Sequence, residues 1–321
     1  MISKKTIDIV IASDKNYLPH AETLLISIGK TNTSYQVINV HLFGNNLTQA
    51  ELQSLKQLLL PYSAFQINYF SINNEKIQKL IGGGGLVGDR SLSTYARIFI
   101  PDLLESDRAL YLDVDAVVNS DLAELYEIDL TGYAIAGVRD TNPVERRKNV
   151  GLKPDDIYIN AGMILWNLDY CRKIHFVEQC REFIHQHNGE VDAMDQGTIN
   201  GVLGKQNLIK PISPKYNAFS SIFQLTREQI EKLYHVMPYY DDSTLAEARN
   251  NPTFIHYTPN MMTRPWVEHC GHPLATRYLE YRNLTNYPLR NLDKDTRGFK
   301  QRLLSYLYNH FPTLFIKLFS K

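Results

Sequence analysis

Two periodicities alternate through the first half of the chain. Residues 7–12 are apolar and β-branched, which predicts a buried strand, and residues 19–30 then carry Ala21, Leu24, Leu25 and Ile28 at helical spacing. Residues 36–43 alternate as a strand. A helix follows over 48–60, where Thr48 at the N-cap and Glu51 three residues on form a capping box. Residues 66–70 are strand-like again, 75–81 and 92–104 helix-like, and 109–112 a further apolar strand. The run 157–168 reads as one strand, followed by helices over 170–188 and 195–203. Beyond residue 208 the pattern fades into a stretch rich in Pro, Asn and Tyr, expected to be a loop-heavy acceptor region. Strands and helices in this order predict an α/β fold with a Rossmann-like, mostly parallel central sheet flanked by helices. Such sheets bind ligands at the carboxyl ends of their strands, so the chemistry is sought there.

Composition narrows the class. The 321 residues, 44% of them hydrophobic, suffice for one large domain or about two ordinary ones. Lys+Arg and Asp+Glu balance at 34 each, which argues against a globally basic nucleic-acid binder and an acidic disordered chain. The three cysteines contain no CxxC pair and fit a reducing compartment rather than a disulfide scaffold or zinc site. Lys4-Lys5 ahead of an apolar run imitates a signal peptide, but Asp8 and Asp14-Lys15 interrupt it. With no run of about 20 apolar residues, no spanning helix is expected and the chain reads as cytoplasmic.

Candidate chemistry clusters after the predicted strands. Gly83 to Gly88 matches GxGxxG, yet a helix rather than a strand precedes it, so it reads as a loop or lid rather than a dinucleotide site. Asp113-Val114-Asp115 follows the apolar Leu110-Tyr111-Leu112. Residues i and i+2 of extended backbone share a face about 7 Å apart, so these carboxylates can share a divalent cation with a diphosphate. A buried polar turn is the bland alternative. A second DxD, Asp293-Lys294-Asp295, has no strand before it. The first also fits the Asp-x-Asp of haloacid-dehalogenase-like phosphatases, with Asp113 as nucleophile, although that motif normally stands near the N-terminus. Arg97 either snorkels or reaches toward the carboxyl edge of the sheet. Asn160-Ala161-Gly162 supplies an amide and two small residues. His256, after the short apolar run 253–255, is either structural or a third ligand suited to Mn²⁺, and Arg264-Pro265-Trp266 adds a cation for a phosphate.

In order along the chain, residues 9–17 (IVIASDKNY), Thr94-Tyr95-Ala96-Arg97, Tyr111 to Asp115, Tyr158 to Gly162, Asp195-Gln196, and His256-Tyr257 with Pro265-Trp266 resemble glycosyltransferase family 8. The likeness spans roughly 6–280 and includes bacterial lipopolysaccharide galactosyl- and glucosyltransferases and, distantly, glycogenin. It implies a GT-A fold, a UDP-galactose or UDP-glucose donor, Mn²⁺ or Mg²⁺, and transfer with retention of configuration. Carried over by position, Ala12, Asp14 and Asn16 would hold the uridine and the Val114 backbone the ribose. Asp113, Asp115 and His256 would bind the metal. Arg97, Asn160, Ala161, Asp195 and Gln196 would surround the donor sugar, with Asp140 toward the acceptor. Asp195, Gln196 and Arg264 are the candidate catalytic residues. The segment 256–266 is longer than the family pattern, lacks its glycine, and has Arg264 where Lys is usual. The acceptor is expected to be a glycan, lipid-linked or glycoprotein hydroxyl. A non-catalytic nucleotide-sugar-binding relative is the other alternative.

The expected glycosyltransferase domain covers 1–285, and 286–321 form a basic amphipathic tail. From Arg290 onward seven basic residues face two acidic ones, among apolar groups at partly helical spacing broken by Pro312. Such a tail suits peripheral docking on the anionic inner leaflet of the cell membrane, or packing on its own domain.

Overall fold

A computed structural model describes residues 5–62, 65–72, 77, 92–141, 143–236, 238–259 and 261–319. Strand β1 (Thr6–Asp14) runs parallel to β2 (Val37–Asn45), and β2 to β3 (Phe65–Ser71). Helices α1 (Leu18–Thr31) and α2 (Gln49–Leu59) make the crossovers, and the capping box forms as expected, Thr48 Oγ1 accepting from the Glu51 amide. The chain then returns to the other side of β1 as β4 (Arg108–Leu112). This reversal between β1 and β4 is a topological switch point, where strand ends splay and leave a crevice. Strand β5 (Ala116–Val118) leaves for a second sheet. Strands β6 (Ile135–Gly137), β7 (Met163–Asn167) and β8 (Ile209–Pro211) complete the order β3-β2-β1-β4-β7-β6-β8, β7 being antiparallel to β4 and β6. A three-stranded sheet joins β5, β9 (Ala218–Phe219) and β10 (Phe254–His256). One large apolar cluster lies on each face of the main sheet, with Ile9, Ile11 and Leu112 pointing one way and Val10 and Tyr111 the other.

Several elements depart from the pattern. The helix expected over 92–104 is a 3-10 helix, Leu92–Phe99, followed by one α turn, Ile100–Leu103. Pro101 has no N–H to carry α hydrogen bonding across that junction. The strand expected over 157–168 begins only at Met163. Upstream, the Asn200 side chain accepts from the Ile159 amide (2.7 Å) and donates to its carbonyl (2.9 Å), and Gln196 accepts from the Ala161 amide (2.9 Å). Side chains thus take the place of a neighbouring strand along this edge, while the other edge bonds to residues 138–140, the Asp140 amide donating to the Tyr158 carbonyl (3.0 Å) and the Asn160 amide to the Val138 carbonyl (2.9 Å). The helix expected over 170–188 breaks at the left-handed His175, leaving Leu168–Lys173 and α3 (Phe176–Gln186), before α4 (Met194–Leu203). The expected loop-heavy region beyond 208 contains three short strands, β8, β9 and β10, and the capped helices Arg227–Tyr234 and Asp242–Asn250. Its elements are too short for their periodicity to register. The glycine run 82–85 and the GxGxxG match lie outside the described residues, as does all but Ile77 of the helix expected over 75–81.

The C-terminal segment forms α5 (Ala275–Arg282), α6 (Phe299–His310) and α7 (Pro312–Phe319). Tyr308 and Phe315 enter the main core, while Phe299, Leu303, Tyr306, Leu314, Leu318 and Phe319 stay exposed. No helix among the described residues is long and apolar enough to cross a membrane.

Candidate functional site

The two sheets meet at Asp113-Val114-Asp115. Strand β4 ends at Leu112, the Asp113 amide donates to the Gly162 carbonyl (2.8 Å), and β5 starts at Ala116. Strand β10 pairs with β5 in a register that sets His256 opposite Ala116, and the Tyr257 amide donates to the Asp115 carbonyl (3.0 Å). This register carries the imidazole to the acids. His256 Nε2 lies 3.2 Å from Asp115 Oδ1 and 3.8 Å from Asp113 Oδ2. One ligand atom from each of the three residues lies within 4.8 Å of the others. Two hard carboxylates and one borderline imidazole form a set suited to a divalent ion such as Mn²⁺. The ring is also oriented from behind, since its Nδ1 is 3.1 Å from Asn217 Oδ1, while Asn217 Nδ2 donates to Asn160 Oδ1 (2.9 Å). Such outer partners fix the tautomer that leaves Nε2 free for a metal.

Charge is balanced around the acids. Arg264 grips Asp115 Oδ2 through Nε (3.1 Å) and Nη2 (2.9 Å). Burial by itself would raise the Asp115 carboxyl, but His256 and Arg264 outweigh it and hold it well below its ordinary range. Burial lowers the His256 imidazole, and the Asp115 and Asp113 carboxylates more than reverse that, so it is raised. A cation bound there would displace the proton.

Arg97 makes the second hub. Its side chain, 7% exposed, reaches Asp113 Oδ1 through Nη2 (3.0 Å), Asp195 Oδ2 through Nε (2.8 Å) and the Ala161 carbonyl through Nη1. It lies over the Tyr111 ring, whose hydroxyl donates to Asp113 Oδ1 (2.8 Å). Desolvation works against the guanidinium, yet Asp113 and Asp195 keep its pKa above the usual value. Asp195 and Gln196 stand in the first turn of α4, entered through Ala193 and Met194, both left-handed (φ 59° and 54°). Non-glycine residues in that region store strain that surrounding contacts must offset. Gln196 is clamped, its Oε1 on the Ala161 amide and its Nε2 donating to Asp140 Oδ2 (2.8 Å). Burial raises the Asp140 carboxyl, partly opposed by the Gln196 contact.

Ala12 and Asp14 occupy the carboxyl end of β1, beside β4, and Asp14 Oδ1 accepts from the Tyr17 amide (2.9 Å). Asn16 is exposed in the turn that follows, and Val114 is buried between the two acids. Arg97, Asp113, Asp115, Asp195, His256 and Arg264 are therefore linked by direct contacts, and Asn160, Ala161, Gln196 and Asp140 adjoin them. The pattern gave no hint of Asn217, which lies in a short 3-10 turn without distinctive spacing. The second DxD does not enter the site: Asp295 is bound to Arg297 (2.9 Å).

The mixed sheet, the switch point and the acids on the β4–β5 link define a GT-A glycosyltransferase fold. The crystal structure of galactosyltransferase LgtC with donor and acceptor sugar analogues shares it, at TM-score 0.70 and 20% identity, over 92% of this chain and 99% of that one. A family model described as glycosyl transferase family 8 matches residues 8–270, and the chain belongs to that family. It is similar to General stress protein A of Bacillus subtilis, 23% identical over 87% of this chain and 94% of that protein. It is also similar to the lipopolysaccharide 1,2-glucosyltransferase of Escherichia coli, 23% identical over 86% of this chain and 77% of that protein. Family membership makes it a glycosyltransferase, and the phosphatase reading of Asp113 falls with it.

Proposed function

We propose that this glycosyltransferase moves galactose or glucose from a UDP-sugar to a hydroxyl of a cell-surface glycan or glycoconjugate, with metal dependence and retention of configuration. The observation that carries the reading is the meeting of Asp113, Asp115 and His256 around one point, with Arg264 beside them. Those three residues would hold Mn²⁺ or Mg²⁺, which when bound supplies Lewis-acid neutralisation of the departing diphosphate. Arg264 adds a fixed cation whose planar fork suits a phosphate. Ala12, Asp14 and Asn16 hold the uridine, and the Val114 backbone meets the ribose. Arg97, Asn160, Ala161, Asp195 and Gln196 line the donor sugar.

The anomeric C–O bond breaks with its electron pair passing to UDP, while the acceptor oxygen forms the new bond on the same face. The acceptor proton passes to the departing phosphate oxygen. Asp195 is the carboxylate a covalent route would use, but its ion pair with Arg97 at 2.8 Å reduces its nucleophilicity, which favours the front-face route. Asp195→Asn variants that never accumulate a glycosyl adduct, yet still retain configuration, would support that route.

We place the enzyme at the inner face of the cell membrane, where the exposed apolar groups of α6 and α7, with Lys300, Arg302 and Lys317, face an anionic leaflet and a lipid-linked acceptor. A donor screen that follows UDP release with and without Mn²⁺ tests the whole reading. Metal-stimulated UDP release from UDP-galactose or UDP-glucose is expected. Binding of UDP without turnover of any donor and acceptor would identify a non-catalytic relative instead.

A further inference from the structure

The loop that carries Arg264 is held on both flanks by the C-terminal segment. At its entry Met261 is left-handed (φ 55°), a conformation that costs a non-glycine residue. Its carbonyl accepts two hydrogen bonds from α6, one from Ser305 Oγ and one from Asn309 Nδ2 (3.0 Å). Ser305 is buried, and its oxygen also accepts from Arg297 Nη1 (3.1 Å), which Asp295 fastens in turn. At the exit the Asp293 amide donates to the Trp266 carbonyl and the Glu268 amide to the Asp293 carbonyl, both at 2.8 Å. Between these two grips stand Met262 to Pro265, with the Arg264 guanidinium on Asp115.

We propose that Ser305 and Asn309 are positioning residues for Arg264: by pinning the Met261 carbonyl they set the height of its guanidinium at the donor diphosphate. The proposal rests on the reading of Arg264 as a phosphate contact. Two charge-neutral donors on one carbonyl hold the strained turn, and when they are lost the loop relaxes and Arg264 withdraws with it. The C-terminal segment is then part of the donor site.

The test compares UDP with uridine, which lacks the phosphates, in the 321-residue chain with Mn²⁺. The Ser305→Ala/Asn309→Ala pair is expected to weaken UDP binding and raise the donor KM about tenfold, with uridine affinity and acceptor KM unchanged. On an Arg264→Ala background the same pair should add less than twofold. Parallel weakening of UDP and uridine, or a full tenfold addition on the Arg264→Ala background, would overturn the proposal. Should the pair fail to fold, Asn309→Ala alone is read the same way, and UDP affinity within twofold of the starting protein counts against it. A chain that turns over no donor would remove the proposed function, while the UDP–uridine comparison still decides this one.

Discussion

Gly162 lies directly against His256: a Cβ on Gly162 would stand 2.1 Å from the imidazole Cε1 and 2.5 Å from Nδ1. The contact follows from two registers, β4 on β7, which sets Leu112 opposite Met163, and β5 on β10, which sets Ala116 opposite His256. Both side-chain atoms belong to the ring that must face Asp113 and Asp115. A single methyl group at position 162 therefore has to push the imidazole off its bearing. Gly162→Ala is expected to lower Mn²⁺ affinity by about 10- to 100-fold, the cost typical of a disturbed metal-ligand environment, and to lower UDP release in step. Calorimetric Mn²⁺ titration checks it, and unchanged affinity would mean His256 is not a ligand.

Arg97 joins two carboxylates that would otherwise repel each other in a buried place. Arg97→Met leaves Asp113 and Asp195 without their shared cation, and breaking a buried pair of this kind costs about 3–5 kcal/mol. Arg97→Lys keeps the charge but cannot span both acids with a planar fork, so it should retain most stability and lose at least tenfold in turnover. Urea denaturation beside steady-state rates separates the two effects.

The inner and outer faces of the tail should respond oppositely. Leu303→Ser/Leu314→Ser/Leu318→Ser changes exposed groups only and should abolish binding to anionic vesicles while leaving UDP release within twofold. Deleting residues 298–321 instead strips Tyr308 and Phe315 from the main core, so lowered thermal stability and lost turnover are expected together. Vesicle sedimentation and a thermal scan on both variants decide this.

Acid should destabilise the fold through two buried histidines. Burial, reinforced by Arg282, lowers His20 to about 4, and burial lowers His272 to about 4. Unfolding returns each to about 6.5, so below that pH the unfolded chain binds more protons than the native one. Stability from these groups is complete above pH 6.5 and is lost as pH falls toward 4, by up to about 3 kcal/mol each. Denaturation between pH 4.5 and 7 should show stability rising with pH, and His20→Phe or His272→Phe should flatten that slope.

Much of this architecture is local and can be read from the chain. The apolar run at 7–12, the Thr48–Glu51 box and the β4 strand leading into Asp113-Val114-Asp115 each depend on neighbours a few residues away. The misreadings arise where a distant side chain replaces a local partner. Asn200 and Gln196 occupy backbone groups between Ile159 and Ala161 that would otherwise seek a strand, and no period within 157–168 records that. The helix expected through 170–188 ends on a left-handed histidine rather than a glycine, so composition offers no stop signal.

The class of fold, the acids that follow β4 and the family to which the chain belongs are written in short stretches of residues, in their periodicity and in the order of their motifs. That Asn217 backs His256, that Gly162 must stay bare and that α6 holds the Arg264 loop emerges only once the chain is folded. Those relationships join segments far apart in the chain, through sheet registers and helix packing that no local pattern encodes.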